Sequence, residues 1–476
     1  MIDSRLSANA LAGLLGDWRS REPAYEAIAD AVRVLCLDNR IAARTALPAE
    51  RELAARLGVS RTTVAAAYRS LRDSGHIESL RGSGSVTLPL GRSRITALPA
   101  GDGVIDLQQA SPAAWPGLAA VYAEAAADAA AIVARPGYDI QGRPGLREAI
   151  AAHYARRGLP TDPEQIMVTP GAQSAISLVS SVLSGPGDRV LIETPTYPHA
   201  ADAFRRRGAR LIGVPVDTAT GWDLERAAHA FQRAVPTLAY LMPDFQNPTG
   251  RTMDARERTL FAEQAAAMGT ILIVDETTAE LDIDRGRGTT PYAALARAHH
   301  GLRVITLGSF GKTVWGGLRV GWVRSDPDTL RRLLGARPAH DLGTPDFEQL
   351  VAQRVFAHMP EVLAQRALQL GAGRDALRAH LADAFPQWHV PEVHGGVSYW
   401  VGLGAPVSSS LVLRARSRGL MLSSGGRFAV DGGHERHLRL PFTGTPQDLA
   451  RAVEILAASW ADVAAGAPAE LLDAVV

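Results

Sequence analysis

The chain contains fifty basic residues, and only one of them, Lys312, is a lysine. A genome rich in G and C would explain the forty-nine arginines, but it would not explain where the remaining lysine lies. A lysine can lose its proton and attack an aldehyde to form a Schiff base, whereas a guanidinium keeps its charge. Lys312 is therefore the leading candidate for a covalent role.

Two segments of the chain are suited to a phosphate group. Lys312 lies between Ser309 and Arg319, which offer a hydroxyl and a guanidinium to an anion. Gly171-Ala172-Gln173 opens a predicted helix, and the free N–H groups at a helix start attract a dianion. The glycine-containing segment alone is weak evidence, so the combination carries the prediction.

Two further polar residues follow predicted strands and could hold an aromatic ring. Asp275 ends the apolar run from 271 to 274, where its carboxylate could keep a pyridinium nitrogen protonated and make the ring an electron sink. Asn247 could donate a hydrogen bond to a phenolate oxygen. Taken singly, Asp275 could be a helix cap and Asn247 part of a turn with Pro248 and Gly250.

The elements that must position these residues alternate between apolar runs and alanine-rich helical stretches. Such alternation favours a mostly parallel sheet covered by helices, with a ligand site at the carboxyl ends of its strands. The apolar runs that predict strands are 190–192, 238–241, 271–274, 304–307 and 320–323.

The candidate site residues, taken in their order along the chain, resemble the pattern of the class I aminotransferases, which bind pyridoxal 5'-phosphate (PLP). The resemblance extends from about Asp106 to the C-terminus. The resemblance implies the α/β fold of type I PLP enzymes with a smaller C-terminal subdomain. It assigns Lys312 to the Schiff base with PLP, Asp275 to the pyridine nitrogen and Asn247 to the ring hydroxyl. It further assigns Tyr197 to stacking on the ring. The phosphate would be bound by Gly171, Ala172, Gln173, Ser309 and Arg319.

Two other positions are assigned by the same resemblance. Arg439 resembles the arginine that binds a substrate carboxylate, although an arginine in a strand can also serve an internal ion pair. Tyr138 resembles the tyrosine that reaches the phosphate from a neighbouring subunit, which implies a homodimer. Thr277 and Thr278 depart from the pattern, because they stand where these enzymes have a tyrosine whose hydroxyl bonds the ring oxygen. This departure puts efficient proton transfer in doubt.

The first ninety residues predict three helices and a hairpin. A helix over Tyr25 to Leu37 is followed by one that Pro48 opens and Gly58 closes, and by a third that Ser60 caps and Gly75 ends. Two short strands around Gly82-Ser83-Gly84 then form a hairpin. Two helices joined by a tight turn are suited to the DNA major groove.

This segment resembles the GntR family of winged helix-turn-helix repressors over residues 23–88. The segment from Arg51 to Arg92 contains seven arginines and three acidic residues, and this excess of positive charge suits a DNA-binding surface. Charge alone would favour an ordinary solvent-exposed surface. The resemblance implies contacts with phosphates and bases of double-stranded DNA. The residues it assigns are Arg51, Ser60, Arg61, Thr62 and Thr63, with Arg81 and Gly82 in the wing.

Composition and length agree with a globular chain of several domains. The 476 residues are 46% hydrophobic and 21% charged, and the net charge is +1. We predict an N-terminal arm over 1–22, the DNA-binding domain over 23–88, a linker over 89–105 and the PLP-binding domain over 106–476.

No apolar run suits a membrane span, which predicts a cytoplasmic protein with no membrane partner. The single cysteine, Cys36, allows no multi-cysteine metal site, and we predict no metal.

A GntR-like DNA-binding domain joined to an aminotransferase-like domain resembles the organisation of the MocR family of bacterial regulators. That resemblance implies transcriptional control by PLP, or by a small amino compound that reacts with PLP, with little catalytic turnover. Two alternatives stay open at this stage. One is an active aminotransferase that carries a DNA-binding domain, and the other is a DNA-binding dimer with an empty pocket.

Overall fold

Four helices and a small sheet form the N-terminal part of the computed structural model, which describes residues 2–19, 22–80, 84–89, 103–284 and 290–464. The sheet has the strand order β1-β2-β4-β3, with β1 parallel to β2 and the other pairs antiparallel. The elements are β1 (Ser4–Arg5), α1 (Ala8–Leu15), α2 (Ala24–Leu37), β2 (Thr45–Ala46), α3 (Glu50–Leu57), α4 (Arg61–Asp73), β3 (Ile77–Leu80) and β4 (Gly84–Thr87).

The ends of these helices follow the signals in the sequence, with one exception. The hydroxyl of Ser60 accepts a hydrogen bond from the N–H of Thr63 at 3.0 Å and so caps α4, as predicted. Gly58 ends α3 in the left-handed conformation that favours glycine. The prediction that Pro48 opens α3 is wrong by two residues: the helix starts at Glu50, and the Pro48 carbonyl accepts a hydrogen bond from the Tyr68 hydroxyl at 2.9 Å.

The N-terminal arm packs into the core of the DNA-binding helices. Leu11 and Leu15 of α1, together with Trp18, are buried against residues of α2, α3 and α4. Cys36 is buried in the same cluster, where it acts as a small hydrophobic residue. Arg81 and Gly82, which we assigned to the tip of the wing, lie outside the described residues, as do positions 90–102 of the predicted linker.

An eight-stranded sheet forms the centre of the large domain, in the order β6-β13-β12-β11-β10-β7-β8-β9. Six strands run parallel, and β13 and β9 run antiparallel, so the sheet is mostly parallel as predicted. All five predicted strands are present, whereas β6, β8 and β9 were not predicted. In chain order the strands of this sheet are β6 (Ile166–Thr169), β7 (Arg189–Thr194), β8 (Arg210–Asp217), β9 (Gly221–Trp222), β10 (Leu238–Leu241), β11 (Ile271–Asp275), β12 (Arg303–Ser309) and β13 (Gly321–Arg324). A short strand, β5 (Ile105–Asp106), precedes them in the chain and is not part of this sheet.

Helices cover this sheet, and a smaller C-terminal subdomain follows it. The helices of the large domain are α5 (Leu118–Ala126), α6 (Ala129–Val133), α7 (Pro144–Arg156), α8 (Ala172–Leu183), α9 (Pro198–Arg206), α10 (Leu224–Ala234), α11 (Ala255–Met268), α12 (Pro327–Ala336) and α13 (Asp346–Val355). The subdomain contains α14 (Met359–Ala384), β14 (Ser398–Gly402), α15 (Ser408–Ser417), β15 (Leu420–Met421), β16 (His437–Pro441) and α16 (Pro446–Ala464). Within the described ranges, no helix combines the length and the apolar character needed to cross a membrane.

A buried cluster of charges joins the DNA-binding helices to α15. The Arg414 guanidinium lies 3.0 Å from Glu22 and 3.9 Å from Asp30, and all three side chains are almost fully buried. The Ser410 hydroxyl donates to Glu22 at 2.6 Å and lies 3.2 Å from Asp30. Burial raises the pKa of both carboxyl groups, and the nearby Arg414 guanidinium opposes this rise.

We predict that Arg414→Met lowers the free energy of unfolding by about 3 to 5 kcal/mol, because it removes the positive charge that faces both buried carboxylates. Urea denaturation followed by tryptophan fluorescence measures this loss. The control is Arg418→Met at the end of the same helix. Arg418 pairs with Asp462 at 2.5 Å in a partly exposed position, so its removal should cost less than about 1 kcal/mol. Equal losses for the two variants would contradict the prediction.

Candidate functional site

A cavity of about 550 Å³ lies at the carboxyl ends of the central strands. Its volume is typical of cofactor and ligand sites. Segments that follow β6, β7, β10, β11 and β12 converge on it, because the carboxyl ends of parallel strands share one edge of the sheet. The predicted site residues that line the cavity are Ala172, Gln173, Tyr197, Asn247, Asp275, Ser309, Lys312, Arg319 and Arg439.

The amine of Lys312 lies in a positively charged, water-poor part of this cavity. Burial lowers its pKa to about 8, and the charges of Arg439 and Arg319 contribute to the lowering. A larger fraction of this amine is therefore neutral near physiological pH than for an ordinary lysine. A neutral amine is the form that attacks an aldehyde.

Both oxygens of the Asp275 carboxylate are held by hydrogen bonds. The Tyr240 hydroxyl donates to Oδ2 at 2.7 Å, and the backbone N–H of Thr277 donates to Oδ1 at 2.9 Å. Tyr240 lies on the neighbouring strand β10 and is fully buried. Burial and the adjacent carboxylate raise the pKa of Tyr240, so its hydroxyl remains a donor. Asp275 is thus fixed in one orientation at the base of the cavity.

One end of the cavity is suited to an anion. Gly171 precedes α8 with a φ of +93°, a backbone conformation that favours glycine, and it lies close to the Arg319 guanidinium. Nη2 of Arg319 donates to the carbonyl of Pro170 at 2.8 Å. Ser309 accepts a hydrogen bond from the N–H of Gly311 at 3.0 Å. The start of α8, the Ser309 hydroxyl and the Arg319 guanidinium are suited to an anion, and we call this group the anion seat.

Arg439 occupies another wall of the cavity and is fixed from two sides. Its Nη2 donates to the carbonyl of Gln108, and its guanidinium lies 4.8 Å from the centre of the Phe428 ring. Burial lowers the pKa of Arg439 to about 10. The guanidinium remains charged at neutral pH and faces the space next to Lys312.

Several polar atoms around the cavity are buried and have no hydrogen-bond partner among the described residues. They are Oε1 of Gln173, Oδ1 of Asn247, Oγ1 of Thr277 and Nε of Arg439. Buried polar atoms without partners are costly, so such a group of them indicates a polar ligand. Together with the anion seat, the lysine and the fixed carboxylate, they fit a phosphorylated pyridine aldehyde.

The structure leaves one predicted residue away from this cavity and adds others. Tyr138 is 75% exposed and does not line the cavity of its own chain. Gly171 lies next to Arg319, which lines the cavity. The sequence analysis did not assign a role to Tyr240, although this residue lies in the predicted strand 238–241. It also missed the cavity-lining residues Arg427 and Phe428, since no motif in the sequence indicated that they reach the cavity.

Neither threonine that replaces the usual tyrosine offers an equivalent hydroxyl. Thr277 and Thr278 both line the cavity, as their position after Asp275 implied. The Thr278 hydroxyl donates to the carbonyl of Asp244 at 3.0 Å and is engaged there. The Thr277 hydroxyl is buried, has no hydrogen-bond partner in the described part of the chain, and belongs to a side chain shorter than that of a tyrosine.

A second groove, of about 1090 Å³, lies on the DNA-binding part of the chain. Arg51, Ser60, Arg61 and Thr62 are exposed around the start of α4, and Thr63 is partly exposed. The arginines that line the groove are Arg5, Arg51, Arg61 and Arg72. Arg5 comes from the N-terminal strand β1, which the sequence reading did not include in the DNA-binding surface. Glu50 and Glu52 also line the groove, so the four arginines leave an excess of positive charge, as expected of a phosphate-binding face.

Two family models match this chain. "Aminotransferase class I and II" matches residues 116–456, and "Bacterial regulatory proteins, gntR family" matches residues 24–86.

Curated relatives include both enzymes and regulators. A 2-aminoadipate transaminase of Thermus thermophilus is 30% identical over 329 residues, which cover 67% of this chain and 81% of the relative. The probable rhizopine catabolism regulatory protein MocR of Rhizobium meliloti is 29% identical, over 73% of this chain and 71% of the relative. The HTH-type transcriptional regulator YisV of Bacillus subtilis is 26% identical and matches over 89% of this chain and 93% of its own length.

A solved structure supports the fold of the large domain. The α-aminoadipate aminotransferase LysN of Thermus thermophilus, in complex with N-(5'-phosphopyridoxyl)-L-leucine, superimposes with a TM-score of 0.70 and 29% identity. The alignment covers 76% of this chain and 93% of LysN.

Fold, cavity and comparisons define a class: a winged helix-turn-helix joined to a fold-type I aminotransferase domain whose cofactor is PLP. The relatives named as regulators include MocR, which matches over 71% of its length, and YisV, which matches over 93% of its length. The chain belongs to the MocR family of transcription regulators.

We predict that Lys312 captures PLP with a rate that rises with pH and is half-maximal near pH 8. The neutral amine reacts, and the lowered pKa of Lys312 makes it available above about pH 8. Stopped-flow absorbance of the apoprotein mixed with PLP, in buffers without amines, measures the rate. Borohydride reduction should then attach PLP to one peptide that contains residue 312, and Lys312→Arg should give no adduct. A half-maximal rate above pH 10, or an adduct elsewhere, would be the contrary result.

We also predict that Arg61→Ala weakens binding to DNA from upstream of the protein's own gene by about 1 to 3 kcal/mol, and lowers the salt dependence. Fluorescence anisotropy at several salt concentrations measures both effects. Arg226→Ala is the matched control, since Arg226 is 71% exposed and lies 3.5 Å from Asp223, while Arg61 is 72% exposed and lies 3.4 Å from Glu50. An unchanged affinity of the Arg61 variant would place the DNA contact elsewhere.

Proposed function

We propose that this regulator senses PLP, or a small amino compound that reacts with PLP, and that the ligand changes its affinity for an operator. The observation that carries the proposal is a shared segment, Gly425–Phe428, which contacts both the cavity and the DNA-binding part of the chain. This segment offers a direct physical route between the two sites.

Within the cavity we assign the cofactor contacts as follows. Lys312 binds the aldehyde carbon, Asp275 holds the pyridine nitrogen, Asn247 faces the ring hydroxyl and Tyr197 stacks on the ring. Arg439 pairs with the carboxylate of an amino compound. Bound PLP would supply an aldehyde for the amine and a ring that can accept electrons. The phosphate contacts are assigned to Gly171, Ala172, Gln173, Ser309 and Arg319.

The DNA contacts are assigned to the start of α4 and its surroundings. Free N–H groups, short hydroxyls and exposed guanidiniums at a helix start suit the edge of the major groove. The assigned residues are Arg51, Ser60, Arg61, Thr62 and Thr63, and by family resemblance Arg81 and Gly82 in the wing.

The proposed coupling rests on Arg40, which follows α2. Its Nη1 donates to the carbonyl of Gly426 at 2.5 Å, and the guanidinium is largely buried. Next to Gly426, Arg427 and Phe428 line the cavity, and Phe428 packs under Arg439. A ligand that engages Arg439 would therefore act on the same short segment that holds Arg40. Such a differential contact is what a ligand needs to shift an equilibrium between two states.

A homodimer is part of the proposal. Tyr138 is exposed and lies away from the cavity of its own chain, and it stands in the motif that reaches the phosphate of a neighbouring subunit in class I aminotransferases. Its hydroxyl can then complete the anion seat of a second copy.

An active aminotransferase is a second candidate, and the 30% identity to a transaminase favours it. The cavity retains Lys312, Asp275 and Arg439. The absence of the tyrosine at Thr277 and Thr278 argues for slow proton transfer, which demands an accurately placed group. Multiple turnover of amino donor and keto acid at about 1 to 1000 per second would favour the enzyme over the sensor.

We predict that Arg40→Gln uncouples the two sites. DNA affinity of the wild-type protein is compared without PLP, with PLP, and with PLP plus each of the twenty standard L-amino acids. At least one condition should change the affinity about five-fold or more, and the variant should reduce that change below about two-fold. The cofactor spectrum should stay unchanged, because Arg40 does not line the cavity.

The control is Arg436→Gln, which removes an exposed pair with Asp17 of the N-terminal arm at 3.7 Å. It should keep the full response. A DNA affinity that no condition changes would refute sensing, and a full response in Arg40→Gln would refute the proposed route.

A further inference from the structure

In the proposed function, one basic side chain of the cavity has no assigned partner. Lys312, Arg319, Arg427 and Arg439 line it, and among the described lining residues the only acidic side chain is Asp275. In the proposed function Lys312 takes the aldehyde, Arg319 the phosphate and Arg439 a carboxylate. Arg427 is left without a role in that assignment.

Arg427 is positioned as a donor toward the cavity. Its side chain is only 13% exposed, and both of its hydrogen bonds to described residues use Nη2, at 2.9 Å from Asp202 and 3.4 Å from His199. Nη1 and Nε form none with the described residues. A guanidinium has five N–H donors in a fixed plane, so its other edge can bind a second carboxylate.

Two carboxylates inside the protein act on Arg427, namely Asp202, which pairs with it, and the buried Asp38. Burial raises the pKa of Asp38, and the charge of Arg427 opposes this rise. Asp202 is shared with Arg205, whose Nη1 lies 3.6 Å from its other oxygen. Arg427 and Arg439 also act on each other, since burial and the charge of Arg427 both lower the pKa of Arg439. Phe428, the next residue along the chain, packs against the Arg439 guanidinium. The two guanidiniums therefore belong to one wall of the cavity.

We propose that the amino compound is an amino acid with a second acidic group on its side chain. Arg439 binds the α-carboxylate, and the free edge of Arg427 binds the side-chain anion while Nη2 stays on Asp202. This inference rests on the proposed function, because it assumes that an amino compound enters the cavity. An amino acid with a neutral side chain would leave the Arg427 edge desolvated and without a partner, and so would bind more weakly.

The test uses the full-length protein loaded with PLP and three pairs of L-amino acids that differ only in charge. The pairs are aspartate and asparagine, glutamate and glutamine, and 2-aminoadipate and homoglutamine. Binding is measured by the change in the cofactor's absorption spectrum. In at least one pair the acid should bind about 10- to 100-fold more tightly than the amide, the range for a hydrogen bond to a charged group.

Three variants separate a ligand contact from a structural role. Arg427→Gln should weaken binding of the preferred acid and bring the ratio near one, while the amide changes less than about two-fold. Arg205→Gln should keep the preference, because Arg205 also pairs with Asp202 but does not line the cavity. Asp202→Asn should increase the preference, since it removes a negative charge that partly neutralises Arg427, while the asparagine oxygen can still accept the hydrogen bond from Nη2. Each variant must retain the cofactor spectrum.

The outcomes distinguish this inference from the proposed function. Amides that bind as tightly as acids in all three pairs, or a ratio that Arg427→Gln leaves unchanged, would overturn the inference and leave sensing of other amino compounds intact. If none of the twenty standard amino acids or these compounds changes the spectrum or the DNA affinity, sensing of amino acids fails as well.

Discussion

Parallel pairing of β7, β10, β11 and β12 is the constraint on which the rest of the large domain depends. The register places Leu238 beside Ile271, and Ile271 beside Arg303, so neighbouring strands end at the same edge of the sheet. Side chains alternate between the two faces of a strand, and a slip of β11 by one residue would turn Asp275 to the opposite face. The hydrogen bond from Tyr240 to Asp275 joins two neighbouring strands and depends on this register.

Charge distribution then decides what the cavity can hold. Arginines keep their charge even when they are buried, and here they surround a lysine whose pKa is lowered to about 8 by burial and by their own charges. The result is a partly neutral amine among guanidiniums that are suited to anions. In the proposed function the same arginines attract phosphate and carboxylate groups, so cofactor affinity and ligand preference would have one electrostatic origin.

Two separate contacts join the N-terminal helices to the C-terminal subdomain, and they have different consequences. The buried cluster of Glu22, Asp30, Ser410 and Arg414 lies away from the cavity and serves to hold α2 against α15. The hydrogen bond from Arg40 lies on a segment that also forms the cavity wall. In the proposed function, the buried cluster keeps the two parts of the chain attached, and a change at the cavity would act on the helices through the Arg40 contact.

The sequence by itself determined the chemistry of the cavity. The single lysine, the polar residues after apolar runs and the helix signals such as Ser60 are local features, and local features are readable because periodicity and capping depend on nearby residues. It also predicted five of the eight strands of the central sheet, although it missed β6, whose apolar run from Ile166 to Val168 is as long as the predicted run 190–192. Only the tertiary structure decided which distant residues join them. Tyr240, Arg427 and Arg40 are placed by strand register and by the packing of α2 on the C-terminal subdomain, and such non-local contacts leave no periodic signal in the chain.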